Sequence, residues 1–151
     1  CLFLIFDAEL IHLELKNNIL RGSIESLHTA KMFGEFYTAS ITKAMIYEAA
    51  GTFTLVFLIF RLTSEKYDHK YITPFLIGGV VALIICVVAP VTQAGLNPTR
   101  DFAPRLVSYF AGWDSIVFSS NNFGWILVYI LSPIAGSLLA FALNRLAFPE
   151  R

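Results

Sequence analysis

The stretch Pro90-Val-Thr-Gln-Ala-Gly-Leu-Asn-Pro-Thr-Arg-Asp101 interrupts a long apolar run in which no charged residue appears between Tyr71 and Arg100. A helix of nineteen residues from Tyr71 meets Pro90, and Thr92, Gln93 and Gly95 then loosen the pattern before Asn97-Pro98. This spacing predicts a helix that ends near Pro90, an irregular segment to about Leu96, and a new helix over 98–110. Asn97 is a favoured N-cap, and Pro98 fits the first helical position, where its missing N–H is not needed. At 1.5 Å per residue such a helix is about 20 Å long, too short to cross a bilayer core of roughly 30 Å. Irregular backbone at membrane depth survives only inside protein or beside a water-filled cavity.

The rest of the chain supports a membrane setting. Its 151 residues are 56% hydrophobic and only 15% charged, with mean hydropathy +0.66. Soluble domains carry roughly a quarter charged residues. Disorder is thereby excluded, and an ordinary soluble globule fits poorly. Eleven basic residues balance eleven acidic ones, so nothing favours a nucleic-acid partner. Three apolar stretches are long enough, or nearly so, to span: 44–62, 71–90 and 123–145. Small residues at helical spacing (Ala50/Thr54, Gly78/Ala82, Gly136/Ala140) read as helix-packing surface. Residues 1–43 read as the end of a preceding helix, Cys1 to Phe6, followed by a polar connecting loop. Three crossings put the short loop 63–70 and the C-terminus on one side. Arg61, Lys66, Lys70, Arg145 and Arg151 mark that side as cytoplasmic. Trp113 and Trp125 suit an interface. Two cysteines, Cys1 and Cys86, are too few for a disulfide framework, and Cys86 reads as a packing residue.

The cap of the short helix carries the chemistry. Its free N–H groups and positive dipole end point at whatever lies at mid-membrane. Asn97 adds two side-chain donors, and the carbonyls of residues 93–96 (Gln93, Ala94, Gly95, Leu96) offer acceptors. Donors facing acceptors along an apolar wall suit a small neutral hydroxylic solute, while the positive end repels cations and protons. Arg100 and Asp101 follow within one turn, which implies an internal, hydrated position. Asp101 and Arg105 are spaced to pair along the helix. The competing reading is an amphipathic helix lying on the headgroups with snorkelling charges. His12 with Glu9 and Glu14 sits in a polar segment rich in other charges, and no metal or other cofactor is expected. No nucleophile or phosphate-loop motif is present, so no catalytic residue is assigned.

The segment Asn97-Pro98-Thr99-Arg100-Asp101-Phe102-Ala103-Pro104-Arg105 resembles the second Asn-Pro-Ala box of the aquaporin and glycerol facilitator family, the major intrinsic proteins. The likeness extends to Arg21–Ser26, Met32–Phe36, Glu48 and its apolar run, Pro74 to Pro90, Ala111–Trp113 and Pro133–Gly136. It covers nearly the whole chain and matches the C-terminal half of the family. It implies an all-α membrane fold with one inverted repeat, comprising three spanning helices plus one re-entrant half-helix. One box occurs here, so the resemblance implies a truncated chain whose N-terminal repeat is missing. It also implies residue roles. Asn97 donates to the solute at the central constriction, Arg100 belongs to the outer selectivity filter, and Glu48 supports the re-entrant backbone. Asp101 and Arg105 follow the glycerol-type pattern. Thr99 replaces the usual alanine of the box. Ala94 stands where many glycerol channels place an aromatic filter residue. Ile85 stands where they have glycine and water-selective members have histidine. Tyr129 stands where glycerol-type members commonly have proline, beside the expected aliphatic Ile130. The implied function is a passive channel for glycerol, small neutral polyols and water in the cell membrane, with a homotetramer as the full-length form. The residues also admit a broken-helix secondary transporter or a non-conducting membrane fragment.

Overall fold

The computed structural model of the chain describes residues 2–64 and 71–149, and among these the regular structure is entirely helical. Three helices are long and apolar enough to cross a membrane: Ile41–Leu62, Thr73–Thr92 and Ile126–Ala147, here the first, second and third spans. A fourth helix, Pro98–Ser108, is half their length. The predicted spans are therefore present, with ends shifted by a few residues.

The N-terminal region differs from its sequence reading. The first helix does not stop at Phe6 but runs Leu2–Lys16. Asp7 and Glu14 lie two turns apart on one face, and Arg21 bonds both, at 2.9 and 2.7 Å. The acidic residues that look like loop are thus one wall of a helix, neutralised by an arginine from the following turn. Cys1 lies outside the described residues. Arg21 also sits over the ring of Trp113, 4.5 Å from its centroid. Trp113 is not at an interface. It is fully buried, and its indole N–H reaches Ser26 O at 3.0 Å and Thr29 Oγ1 at 2.9 Å. Burying an indole is favourable only when that N–H finds a partner.

The first and third spans form the tightest contact. A Cβ added at Gly136 would lie 2.2 Å from the carbonyl oxygen of Ala49. Gly136 and Ala140 are buried against the first span. The other two small-residue pairs differ. Ala50, Thr54, Gly78 and Ala82 are all exposed. Close approach is what small residues allow where lipid tails give no hydrophobic drive. Gly136→Ala should therefore destabilise the packing of these spans by about 1–3 kcal/mol. Gly78→Ala, which meets nothing within 4 Å, should leave it unchanged. Thermal unfolding of the two variants in detergent, side by side, checks this.

The third span opens with wide π-type turns over Ile126–Leu131. Pro133 explains them, because it has no N–H for the carbonyl four residues back. Within the same turns the Ser132 hydroxyl donates to Leu127 O at 2.7 Å. Arg61 sits 3.6 Å from the centre of the Phe148 ring, which brings the C-terminal ends of the first and third spans together. Lys66, Lys70 and Arg151, which carry much of the orientation argument, lie outside the described residues. Outward faces carry Phe75, Leu83, Leu138 and Leu139. Cys86 is exposed as well, so it is not the packing residue its apolar neighbours suggest.

Candidate functional site

The second span does not end at Pro90. It continues to Thr92, and the Gln93 N–H bonds Ala89 O at 2.9 Å. Proline's φ suits a helix, and Pro90 lies inside this one without ending it. The stop comes from a run of left-handed residues: Gln93 (φ 64°), Ala94 (φ 60°) and Leu96 (φ 55°). For residues with a Cβ this conformation costs about 1–2 kcal/mol each, so other contacts must hold it.

Glu48 supplies the main one. The fully buried carboxylate accepts from Gly95 N at 2.9 Å, from Leu96 N at 2.6 Å and from the Thr92 hydroxyl. Tyr129 O–H donates to Thr92 O at 2.9 Å, and Thr52 O–H to Leu96 O at 3.2 Å. Gln93 spans the gap to the connecting loop. Its Oε1 accepts from Phe36 N at 2.6 Å, and its Nε2 donates to Lys31 O at 3.3 Å. Gly95 is needed for space, since a Cβ there would lie 2.8 Å from the Tyr129 ring.

The chain then turns into the half-helix. Asn97 is extended (φ −152°, ψ 125°), and its Oδ1 accepts from Thr99 N at 2.9 Å. That bond fixes the amide and leaves its NH₂ group to face outward. The half-helix holds 11 residues, about 16 Å. It is slightly shorter than the predicted 98–110. A wider turn over Tyr109–Trp113 closes it, with Gly112 at φ 102°.

Asp101 and Arg105 pair as their spacing predicts, with Nη2–Oδ1 at 2.7 Å and Nε–Oδ2 at 3.0 Å. The hydrated position expected of Arg100 and Asp101 does not hold for Asp101, whereas Arg100 is about half exposed. Asp101 and Arg105 are both buried, and they tie the half-helix to its surroundings. Arg105 also donates to the carbonyls of Val117 and Glu35, and Asp101 Oδ1 accepts from Glu35 N at 2.8 Å. Such a pair is tolerable in a low-dielectric interior because each of its side-chain nitrogens and oxygens has a partner.

An open groove of about 370 Å³ lies beside the turn. Gly95, Leu96, Asn97, Pro98 and Arg100 line one side of it. Leu55, Val56 and Val81 from the first two spans, with Pro133 and Ile134 from the third, give it apolar walls. Thr52 and Ser137 add hydroxyls. Of the residues singled out from sequence, the structure brings Asn97, Arg100, Gly95, Leu96 and Pro98 to this groove. It does not bring Ile85 or Ala94 there. Ala94 is fully buried, and Ile85 packs with it against Ile84 and Val88. Thr99 is exposed on the half-helix, outside the groove lining. Glu14, considered as a metal ligand, is engaged by Arg21 and Thr29. Among the described residues no cluster of His, Cys, Asp and Glu is placed to hold a metal.

Sequence reasoning missed two participants. Thr52 supports the turn and lines the groove. Glu35 faces Arg100, with Oε1 3.3 Å from Nε. Burial pushes the Glu35 carboxyl up to about 7, Arg100 opposing the shift and Asp101 adding to it. No local pattern marks either residue, because each acts across more than 40 positions of chain.

Comparison with known proteins follows the same lines. The sequence profile of the family described as Major intrinsic protein matches residues 13–143. The Propanediol uptake facilitator of Citrobacter freundii is 31% identical over 95% of this chain and 55% of its own length. The Glycerol uptake facilitator protein of Pseudomonas aeruginosa is 33% identical, over 91% of this chain and 51% of its own. The protein of that name from Escherichia coli K12 is 33% identical, over 95% and 51%. The chain spans about half the length of the curated relatives it matches.

Proposed function

This chain belongs to the major intrinsic protein family, and on that premise we propose that it is the C-terminal repeat of a passive channel for glycerol, small neutral polyols and water. The observation that carries the reading is the groove. An Asn97 amide and an arginine at a helix N-terminus stand opposite apolar walls. A polyol has hydroxyls along one edge and carbon along the other. Its hydroxyls meet the Asn97 NH₂ group and the Arg100 guanidinium, while its carbons lie against Leu55, Val56 and Val81. The half-helix dipole and Arg100 together disfavour cations and protons. No bond is made or broken, and the chain acts as a conduit rather than an enzyme. The other wall of the passage belongs to the N-terminal repeat, the C-terminus faces the cytoplasm, and full-length subunits assemble as tetramers in the cell membrane. The names of the facilitator relatives support glycerol and propanediol as the solute class.

Removing the Arg100 side chain tests this. In proteoliposomes carrying the full-length protein, stopped-flow light scattering of Arg100→Ala should show several-fold weaker discrimination between glycerol and larger or charged solutes. Flux should rise linearly with gradient and need no ion. Unchanged discrimination would remove Arg100 from the filter, and saturable, ion-coupled flux would favour a transporter.

A further inference from the structure

Arg100 is a long side chain with about half its surface exposed at the mouth of the groove. Left alone, such a chain samples many rotamers and holds no fixed donor geometry. The structure gives it a partner in Glu35, whose side chain is only 10% exposed. Glu35 is itself held on both sides. Its N–H donates to Asp101 Oδ1 at 2.8 Å, and its carbonyl accepts from Arg105. The buried Asp101–Arg105 pair thus fixes the backbone from which the Glu35 carboxylate is presented. Directly before it, Gly34 packs against the Arg105 side chain, where an added Cβ would sit 3.6 Å from that residue's Cβ. The order of support runs from the buried pair to the Glu35 backbone, then to its carboxylate, then to Arg100.

We propose that Glu35 is a positioning residue for Arg100: its carboxylate holds the guanidinium at the groove, and protonating that carboxylate releases it, so that discrimination among solutes follows the charge on Glu35. The inference rests on the channel reading above. The charged and titratable groups around Glu35 are Arg100, Asp101 and Arg105 on the half-helix, Glu48 on the first span and Tyr129 on the third. Glu48 and Asp101 disfavour the Glu35 anion, and the two arginines favour it. With the carboxyl pushed up to about 7, chiefly by burial, the pair forms as pH rises through neutrality and opens as it falls. The stability sign is the reverse. A raised carboxyl favours the fold below its ordinary 4.5, and that contribution is lost as pH rises through about 7. Arg100 offsets part of that loss.

The test compares solute discrimination by the full-length protein in proteoliposomes between about pH 5.5 and about pH 8.5. Wild-type discrimination of glycerol against urea should rise several-fold across that range. Glu35→Gln should stay at the low-pH value throughout, Glu35→Asp should keep a pH dependence, and Arg100→Ala should abolish it. A Glu35→Gln profile that matches wild type overturns the proposal. If wild type passes no solute beyond empty vesicles, the channel reading itself fails. The pairing is then judged by ¹³C NMR of the Glu35 carboxyl in bicelles. Arg100→Ala should move its titration to higher pH, and an unmoved titration overturns the pairing on its own.

Discussion

Substituting Glu48 with alanine is expected to release the turn at residues 93–96 before any other part of the chain loosens. The carboxylate accepts from three buried donors, the N–H groups of Gly95 and Leu96 and the Thr92 hydroxyl. Each donor left without a partner costs about 1–3 kcal/mol, more where no water can reach. Three non-glycine residues in the left-handed region add strain that Glu48 now offsets. The turn then has little reason to keep its shape. Hydrogen exchange at the Gly95 and Leu96 amides should accelerate by orders of magnitude, while amides of the first span stay protected. Glu48→Gln should fall between, because one amide oxygen can still accept but the NH₂ group opposes a donor. Equal protection of Gly95 in wild type and Glu48→Ala would mean that the turn is held by Tyr129 and Thr52 instead.

The second large effect is expected at Arg105. Its guanidinium is almost wholly buried and satisfies Asp101 together with the carbonyls of Val117 and Glu35. It also lies 4.4 Å from the centre of the Phe36 ring. Arg105→Ala strands the Asp101 carboxylate in a low-dielectric site, which typically costs about 3–5 kcal/mol. The half-helix should then detach from the loop at 31–40. Arg105→Lys keeps the charge but loses the fork that reaches two acceptors at once, so it should recover only part of the loss. Asp101→Asn should be milder than Arg105→Ala, because the amide oxygen can still accept from Glu35 N. Thermal unfolding of the series in detergent gives the order. Arg105→Ala as stable as wild type would show that the pair contributes nothing to the fold.

The parts of this architecture that depend on neighbours in sequence are readable from it. Asn97-Pro98 announces a cap, and the structure has one. Asp101 and Arg105 are four apart on a helix and pair. Long apolar runs mark the three spans. What escapes a linear reading depends on partners far along the chain. Asp7 and Glu14 look like loop because Arg21, which neutralises them, lies beyond a turn. Trp113 looks suited to an interface because the carbonyl that takes its N–H belongs to Ser26, 87 residues away. Pro90 looks like a helix end, yet the stop is set three residues later by backbone geometry that Glu48, 47 residues from Gly95, holds in place. The burial of Ala94 likewise follows from that left-handed turn, which no local pattern of residue types announces.

The Tyr129 hydroxyl that grips the Thr92 carbonyl, and the ring that closes over Gly95, both belong to the last span. During synthesis residues 93–108 leave the ribosome before that span exists. The charges of that helix already have partners made earlier in the chain, Asp101 with Arg105 and both with Glu35, but the turn that precedes it does not yet have its cover. Residues 126–147 therefore act as a latch on a turn made earlier in the chain, closing it through Tyr129.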